Sequence, residues 1–322
     1  MKIVDFSVAH IEQAAQIAKQ NYEEERGFVP SLPPIQNVPD LTPFAENGLG
    51  TAAFDGDNMI GFLCCVPPFK NAFNSTDAVG VFSPMGANGA IGENRTKAYA
   101  HMYQAAGAKW AQAGASSHGI CLYAHDKAAE EQLYRYGFGL RCIDAIREMD
   151  EIIAPSCEGY IFTELTPDEL SQILPLDHML DTHMAASPTF ILRQSATLQS
   201  LIMNAGHFHS IYYAAWYDNQ IVAYIRAELD GETFIQETPG YLHVKGAFCL
   251  PEHRGKRLHH VLLRLLVQQL KAQGYTRLGV DFESINPTGY GFWLKHFNAY
   301  THGVVRRIDE YAVKKYVGTH HN

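Results

Sequence analysis

The sequence has 322 residues, 47% of them hydrophobic and 18% charged. A length of about twice the ~150 residues of a typical domain, with this composition, predicts a globular chain with sizeable cores. Acidic residues outnumber basic ones by 34 to 25, which gives a formal net charge of −9. Because contacts to nucleic-acid phosphates need clustered Lys and Arg, this balance argues against nucleic acid as a partner.

Neither a targeting segment nor a membrane span is predicted. Charged residues interrupt the apolar positions of the N-terminal stretch MKIVDFSVAHIEQAA, which is not typical of a signal peptide. No run approaches the ~20 apolar residues that a membrane helix needs. The six cysteines lack paired CxxC spacing, so we expect buried free thiols, a cytoplasmic location and no membrane partner.

The predicted elements of the first half recur in the second half. Each half has a β-hairpin followed by a long helix, and a glycine, Gly114 or Gly274, follows each helix. The hairpins cover residues 54–66 and 217–228, and the helices cover residues 95–113 and 258–273. Glycine directly after a helix is a common C-terminal cap. The two helix ends therefore correspond at an offset of 160 residues.

The same offset holds for the elements that follow. The corresponding segments are strands 119–123 and 279–283, helices 128–136 and 288–296, and strand segments 145–147 and 305–307. Such a repeat predicts two homologous domains, residues 1–150 and 158–322, joined by a short segment with Pro155. The element order predicts a mixed α/β (α+β) class, in which each domain is a twisted mixed β-sheet flanked by helices.

The strongest chemical signal lies between a strand and the second long helix. The strand ends at Pro251, a turn containing Arg254, Gly255 and Lys256 follows, and an apolar helix begins near Leu258. Free N–H groups at a helix start, beside Arg and Lys, suit a pyrophosphate, and glycine lets the backbone approach it closely. The alternative is a solvated basic helix start with no ligand.

This turn resembles motif A of the GNAT (Gcn5-related N-acetyltransferase) superfamily, whose Arg/Gln-x-x-Gly-x-Gly/Ala turn binds acetyl-CoA. The resemblance implies two tandem GNAT-like domains, a layout similar to that of mycothiol synthase, with acetyl-CoA or another acyl-CoA as cosubstrate. Arg257 and His259 stand where the family prefers small residues. The implied cofactor-binding residues are Phe248, Cys249, Leu250, Arg254, Gly255, Lys256, Arg257, Leu258, His259 and Asn286.

The first half carries a degenerate version of this motif. Its loop of residues 83–92 has three glycines but no Arg-Gly-x-Gly turn. Since a Gly-rich loop alone is a weak phosphate signal, we interpret this loop as structural. The second half is therefore predicted to hold the better-preserved CoA site.

The resemblance also implies direct attack of an amine on the thioester carbonyl. Backbone N–H groups near Phe248 and Leu250 are expected to stabilise the carbonyl oxygen. Glu283, at a strand end, and His243, on the strand before the turn, are candidate bases. A solvated strand end and a satisfied sheet histidine are the respective alternatives.

The catalytic acid is less well matched. The position where the family often has a Tyr that protonates the thiolate is occupied by Trp293, and an indole cannot deliver that proton. Tyr290, one turn earlier, is the candidate substitute, and a packed Tyr without a catalytic role is its alternative. In the first half the same position is Leu133.

Two functions follow from these patterns. The first is an acyl-CoA-dependent N-acyltransferase that acts on a small-molecule or peptide amine, and the second is a non-catalytic acyl-CoA-binding or regulatory protein. The sixteen histidines show no paired zinc spacing, so no metal is predicted. His320 and His321 are predicted to lie in a disordered tail. No pattern indicates the oligomeric state or the acceptor.

Overall fold

The computed structural model describes residues 1–318, so the predicted disordered tail with His320 and His321 lies outside the described residues. The strands are β1 (Lys2–Asp5), β2 (Thr51–Asp55), β3 (Asn58–Leu63), β4 (Gly80–Ser83), β5 (Asn88–Ala90), β6 (Ser117–Tyr123), β7 (Gly139–Glu148), β8 (Ile161–Glu164), β9 (Ile211–Tyr217), β10 (Gln220–Glu228), β11 (Tyr241–Cys249), β12 (Arg277–Glu283) and β13 (Asn298–Arg307). The helices are α1 (Ile11–Phe28), α2 (Thr42–Glu46), α3 (Arg95–Gln112), α4 (Lys127–Arg135), α5 (Leu174–Ala185), α6 (Leu198–His207), α7 (Leu258–Ala272), α8 (Pro287–His296) and α9 (Glu310–Gly318).

The chain forms two compact units that are not two uninterrupted halves. Unit 1 consists of Met1–Ile143 and the segment from Ala299 onward, and unit 2 consists of Asp144–Asn298. The boundary after Ile143 falls inside β7, and the start of unit 1's second segment falls inside β13. The two domains predicted from the sequence repeat, residues 1–150 and 158–322, stay a prediction.

Unit 1 combines an antiparallel sheet with a mixed one. Strands β1, β2, β3 and β5 lie in that order and pair antiparallel. Strand β4 pairs parallel with β6, as expected for strands connected through a crossover helix, and β6 pairs antiparallel with β13. Helix α3 buries an i, i+3, i+4 series of small and large side chains, including Tyr99, Met102, Tyr103, Ala106 and Trp110.

Unit 2 has one continuous run of strands in the order β12-β11-β10-β9-β8. Strands β11 and β12 pair parallel, and the other neighbours pair antiparallel. In the β9–β10 hairpin, Asp218 and Asn219 adopt φ of 50° and 60°, the left-handed conformation that a two-residue hairpin turn requires. Helix α7 packs its apolar face into the core through Leu258, Val261, Leu262, Leu263, Leu266, Val267 and Leu270.

The repeated elements predicted from the sequence are confirmed in both units. The two hairpins, the two long helices and the following strand–helix–strand segments all form, with bounds that differ from the prediction by a few residues. Gly114 and Gly274 follow the long helices with φ of +86° and +89°, which is the left-handed cap that glycine favours. The predicted class, a mixed sheet flanked by helices, is also confirmed.

None of the helices in the described part of the chain is long and apolar enough to cross a membrane.

Candidate functional site

A wedge opens in unit 2 where β11 and β12 part. The two strands pair only over Tyr241–Val244 and Arg277–Val280. Beyond that point β11 continues to Cys249 beside β10, and β12 continues to Glu283. One edge of the second half of β11 therefore faces the wedge instead of a paired strand.

Backbone N–H groups point into this wedge from β11. The N–H of Leu250 donates to the carbonyl of Val222, 2.9 Å away, which turns it toward β10. In an antiparallel ladder, hydrogen-bonded and non-hydrogen-bonded pairs alternate along the strand. The N–H group of Phe248, two residues before Leu250, therefore also points toward β10. The N–H groups that face the wedge are those of Ala247 and Cys249. Among the N–H groups near Phe248 and Leu250 that the sequence indicated as carbonyl donors, those of Ala247 and Cys249 thus have the matching direction, and their role stays a prediction.

A cavity of about 410 Å³ lies at this wedge. Its size is in the range of small-molecule and cofactor sites. The lining residues come from α5, the end of β11, the following turn and the starts of α7 and α8: Leu180, His183, Ala247, Phe248, Cys249, His253, Arg254, Gly255, Arg257, Leu258, His259, His260, Asn286, Thr288, Gly289, Phe292 and Trp293. Eight of the ten predicted cofactor-binding residues line this cavity. The other two, Leu250 and Lys256, do not.

Arg254 and Lys256 of the turn have different surroundings. The Nε of Arg254 donates to the carbonyl of Cys249 at 3.1 Å, and its guanidinium lies 5.5 Å from the centre of the Phe248 ring. The Nζ of Lys256 instead lies 5.7 Å from the Tyr160 ring and 6.0 Å from the Tyr217 ring, outside the cavity lining. The turn thus presents one of its two basic side chains to the cavity.

The two bulky departures from the family pattern are accommodated differently. Arg257 precedes α7 with φ of 62°, so it keeps the left-handed backbone that a glycine adopts at no cost. The half-buried ring of His259 lies with Nε2 3.2 Å from the carbonyl of Tyr224. Burial lowers the pKa of His259 to about 4, so the ring is neutral near pH 7 and donates this bond.

The first turn of α7 retains backbone donors despite these substitutions. A helix leaves its first N–H groups without partners inside the helix. Here the N–H of His260 donates to the carbonyl of Arg257 at 3.1 Å, and the N–H groups of Leu258 and His259 precede it. These donors, with Arg254 and Arg257 nearby, form an arrangement suited to an anionic group.

The predicted acid and bases lie outside the cavity lining. His243 is buried in β11, where Nε2 lies 2.8 Å from an oxygen of Asp281 and Nδ1 lies 2.6 Å from the hydroxyl of Tyr241. Burial opposes ionisation of Asp281, but the bond to His243 and the charge of Lys245 lower its pKa overall. This environment is that of the alternative, a satisfied sheet histidine; the catalytic role of His243 stays a prediction.

Glu283 ends β12, and Tyr290 lies on α8. The carbonyl of Glu283 accepts a hydrogen bond from the N–H of Asn286 at 3.0 Å. Tyr290 is 42% exposed and packs edge-on against Phe282, with 6.3 Å between ring centres. Trp293, in contrast, is buried and lines the cavity. The catalytic roles of Glu283 and Tyr290 stay predictions.

Sequence patterns gave no cofactor or catalytic role to several lining residues. Leu180 and His183 belong to α5, about 70 residues before the turn motif, and no local spacing connects them with it. Phe292 lies 5.8 Å from the ring of His259 and 5.3 Å from that of His260. Only the tertiary structure identifies His183 as a lining residue, because the packing of α5 against β11 brings it to the cavity.

The segment that contains this site is similar to a known protein family. Residues 177–298 match the Acetyltransferase (GNAT) family. These residues include most of α5, the wedge and every residue that lines the cavity. The segment 177–298 is thus similar to a GNAT acetyltransferase domain. The match confirms the predicted family for this part of the chain, and with it an N-acetyltransferase type of enzyme.

One solved structure supports the fold over a longer span, and a second has a lower TM-score. A GCN5-related N-acetyltransferase from Sphaerobacter thermophilus is similar with a TM-score of 0.57 and 12% identity, over 95% of each chain. An acetyltransferase of the GNAT family from Colwellia psychrerythraea has a TM-score of 0.45 and 14% identity, over 96% of this chain and all of its own. At these identities the first similarity shows the fold alone. No protein with a curated description matches the sequence, and the predicted likeness to mycothiol synthase stays a prediction.

Proposed function

We propose that the GNAT domain of this chain transfers an acyl group, typically acetyl, from acyl-CoA to an amine of a small molecule or peptide by direct attack. The observation that carries the proposal is the wedge between β11 and β12, with backbone donors of β11 on one side and the start of α7 at its end. A long, narrow ligand with a carbonyl at one point and phosphates at another matches this distribution of donors.

The residues present fit such a cosubstrate. The N–H groups of Leu258 and His259, with Arg254 and Arg257, would hold the pyrophosphate. Gly255 has φ of +76°, and a Cβ built on it would meet nothing within 4 Å, so the backbone is open at this point of the turn. Asn286, whose side chain caps α8, would contact the arm of the cosubstrate.

The chain's own groups then supply the electrostatics of the reaction. Bound acyl-CoA supplies an electrophilic thioester carbonyl and a thiolate leaving group. The N–H groups of Ala247 and Cys249 are fixed by the β10–β11 ladder, so they need no reorganisation to stabilise negative charge on a carbonyl oxygen. Burial raises the pKa of the Cys249 thiol to about 11, so near pH 7 it is protonated and is not the reactive thiolate.

One observation favours the second candidate, an acyl-CoA-binding protein without turnover. Trp293 lines the cavity where a Tyr is expected to protonate the thiolate, and Tyr290 lies outside the cavity lining. A domain of this kind would retain the donors for the cosubstrate and lack a proton donor for the leaving group.

Calorimetry with acetyl-CoA, together with an assay of thiol release, separates the candidates. The amine probes are spermidine, a lysine-containing peptide and phenylethylamine, at pH 7.5 with the full chain. The proposal expects saturable binding and amine-dependent thiol release with at least one probe. Binding without release on any of these amines would favour the non-catalytic protein, and absence of binding would contradict both.

A further inference from the structure

His183 connects α5 to the start of α8 inside the cavity. Its Nε2 lies 3.3 Å from Oδ1 of Asn286 and 3.2 Å from Oγ1 of Thr288. Its ring centre lies 6.5 Å from that of Phe248, on the strand segment between the N–H groups of Ala247 and Cys249. The imidazole is therefore a cavity-lining group beside the strand that would stabilise the carbonyl oxygen.

The neighbouring amide defines the tautomer of this ring. Oδ1 of Asn286 accepts from the N–H of Thr288 at 3.2 Å and from its hydroxyl at 2.8 Å, so this atom is the amide oxygen and not the amide nitrogen. Beside an oxygen that can only accept, Nε2 of His183 can form a hydrogen bond only as the donor. Nε2 of the neutral ring therefore carries the proton, and Nδ1 carries the free electron pair.

Other titratable groups of the cavity are poorly suited to act as a base. The His259 ring uses its donor for the Tyr224 carbonyl and has a pKa of about 4. Burial, followed by the charges of Lys295 and Arg257, lowers the pKa of His260 as well. Nδ1 of His253 lies 2.8 Å from the hydroxyl of Tyr160. The remaining titratable groups of the lining are the thiol of Cys249 and the guanidinium groups of Arg254 and Arg257.

We propose that His183 is the general base of the acyl transfer, with Nδ1 accepting the proton of the attacking amine. This inference rests on the proposed function. As the amine nitrogen forms its bond to the carbonyl carbon, the carbon–sulfur bond breaks and the electron pair leaves with the thiolate. The proton lost by the nitrogen moves to His183, and the resulting imidazolium returns it to the thiolate or to water, so charge and atoms balance. The same residue thereby supplies the proton that Trp293 cannot.

The test compares four forms of the full chain: wild type, His183→Gln, His183→Ala and the control His178→Gln. His178 lies on the same helix, outside the cavity lining, with Nε2 2.9 Å from the carbonyl of Ala196. In His183→Gln, the amide nitrogen retains a donor for Asn286 but provides no basic nitrogen. The probes are acetyl-CoA and whichever of the three amines gives the fastest thiol release in wild type.

Loss of a general base predicts that kcat of His183→Gln falls by roughly 10²–10⁴-fold, while the Kd of acetyl-CoA is unchanged. The acid limb of the kcat/KM profile should disappear, and added imidazole should restore part of the activity of His183→Ala. A merely structural role could lower kcat, but it would neither remove the acid limb nor allow rescue by imidazole. The control should retain wild-type kinetics.

Wild-type kcat and an unchanged acid limb in His183→Gln would overturn the inference and leave the acyltransferase proposal standing. A fall in kcat that accompanies an equal loss of acetyl-CoA affinity, without imidazole rescue, would also overturn it, because it would indicate a binding role. Acetyl-CoA binding without turnover in wild type would overturn both this inference and the acyltransferase proposal.

Discussion

The two units part their parallel strands at corresponding points, and the cavities described at these points differ in size. In unit 1, β4 and β6 pair over Gly80–Ser83, and the chain then turns away to form β5. The buried side chain of Asn88 bridges the gap, because its amide donates to the carbonyl of Cys121 and to the hydroxyl of Ser83, each at 3.0 Å. Its Oδ1 accepts from the hydroxyl of Tyr99 at 3.0 Å.

Ion pairs occupy the helix starts of unit 1 as well. Arg95, the first residue of α3, lies 2.8 Å from Glu24 and 3.6 Å from Asp126. The carboxylate of Glu25 lies 2.7 Å from Nδ1 of His125. Burial raises the pKa of Glu25, and the bond and charge of His125 oppose that shift. The cavity among these residues has a volume of about 50 Å³, against about 410 Å³ in unit 2.

The difference shows how one architecture serves two purposes. In unit 1, side chains satisfy the polar groups that the parted strands leave, so the wedge stabilises the unit. In unit 2, the corresponding backbone groups of β11 face a cavity and remain available to a ligand. Four predictions test this contrast, in order of decreasing expected effect.

Replacement of Asn88 by Ala should destabilise the protein by about 3 kcal/mol, since a buried donor and two buried acceptors lose a partner together. The free energy of unfolding in urea measures this, and the Kd of acetyl-CoA should not change. Replacement of the exposed Asn58 by Ala is the control, with an effect within about 0.5 kcal/mol. Equal effects of the two substitutions would contradict a stabilising role for the bridged wedge.

Reversal of charge at Arg254 should weaken acetyl-CoA binding by roughly a hundredfold, because a cation beside the phosphates is replaced by an anion. Calorimetry on Arg254→Glu measures the change. The matched variant in unit 1, Arg95→Glu, should leave the affinity unchanged while lowering the free energy of unfolding. If Arg95→Glu weakened binding as much as Arg254→Glu, the assignment of the site to unit 2 would be wrong.

Acidification should destabilise unit 1 through His118. Burial lowers the pKa of His118 from 6.5 to about 4, with its ring held between Tyr103 and the carbonyl of Ala115. Between these values the unfolded chain binds more protons than the folded one, so stability falls as pH falls from 6.5 toward 4. His118 alone contributes about 2 kcal/mol to the loss of stability from pH 7 to pH 5.

The part of the loss that His118 contributes should be absent in His118→Gln, so the loss between pH 7 and pH 5 should be about 2 kcal/mol smaller than in wild type, whatever the stability of that variant at pH 7. Urea unfolding at pH 7 and pH 5 measures the difference. His101→Gln, which replaces an exposed histidine of α3, should keep the wild-type dependence on pH. A His118→Gln variant with the full wild-type loss would place the titrating group elsewhere.

The smallest effect is expected at Arg257, which adopts the left-handed conformation before α7. Arg257→Gly relieves the steric cost of a side chain there, whereas Arg257→Ala keeps that cost and removes the same charge. The glycine variant should be more stable than the alanine variant by about 1 kcal/mol, a comparison that urea unfolding can resolve. A more stable alanine variant would show that the backbone at this position relaxes.

Much of this architecture was predictable from the sequence because it rests on local rules. The helix stop signals at Gly114 and Gly274 and the hairpin turn at Asp218 follow from backbone conformations that few residues adopt. The turn around Arg254 was also recognisable, because its spacing is contained in one short segment. The catalytic residues were harder to predict from the sequence, since a base is defined by its position relative to the reacting atoms.

By itself, then, the sequence determined the repeat, the class of fold and the turn that offers donors to an anion. The tertiary structure decided which polar groups meet. It directed the N–H groups of Ala247 and Cys249 to the wedge, enclosed His243 beside Asp281, and brought His183 to Asn286 across about a hundred residues. Strand register and helix packing determine these contacts, and neither can be read from the spacing of residues within a single motif.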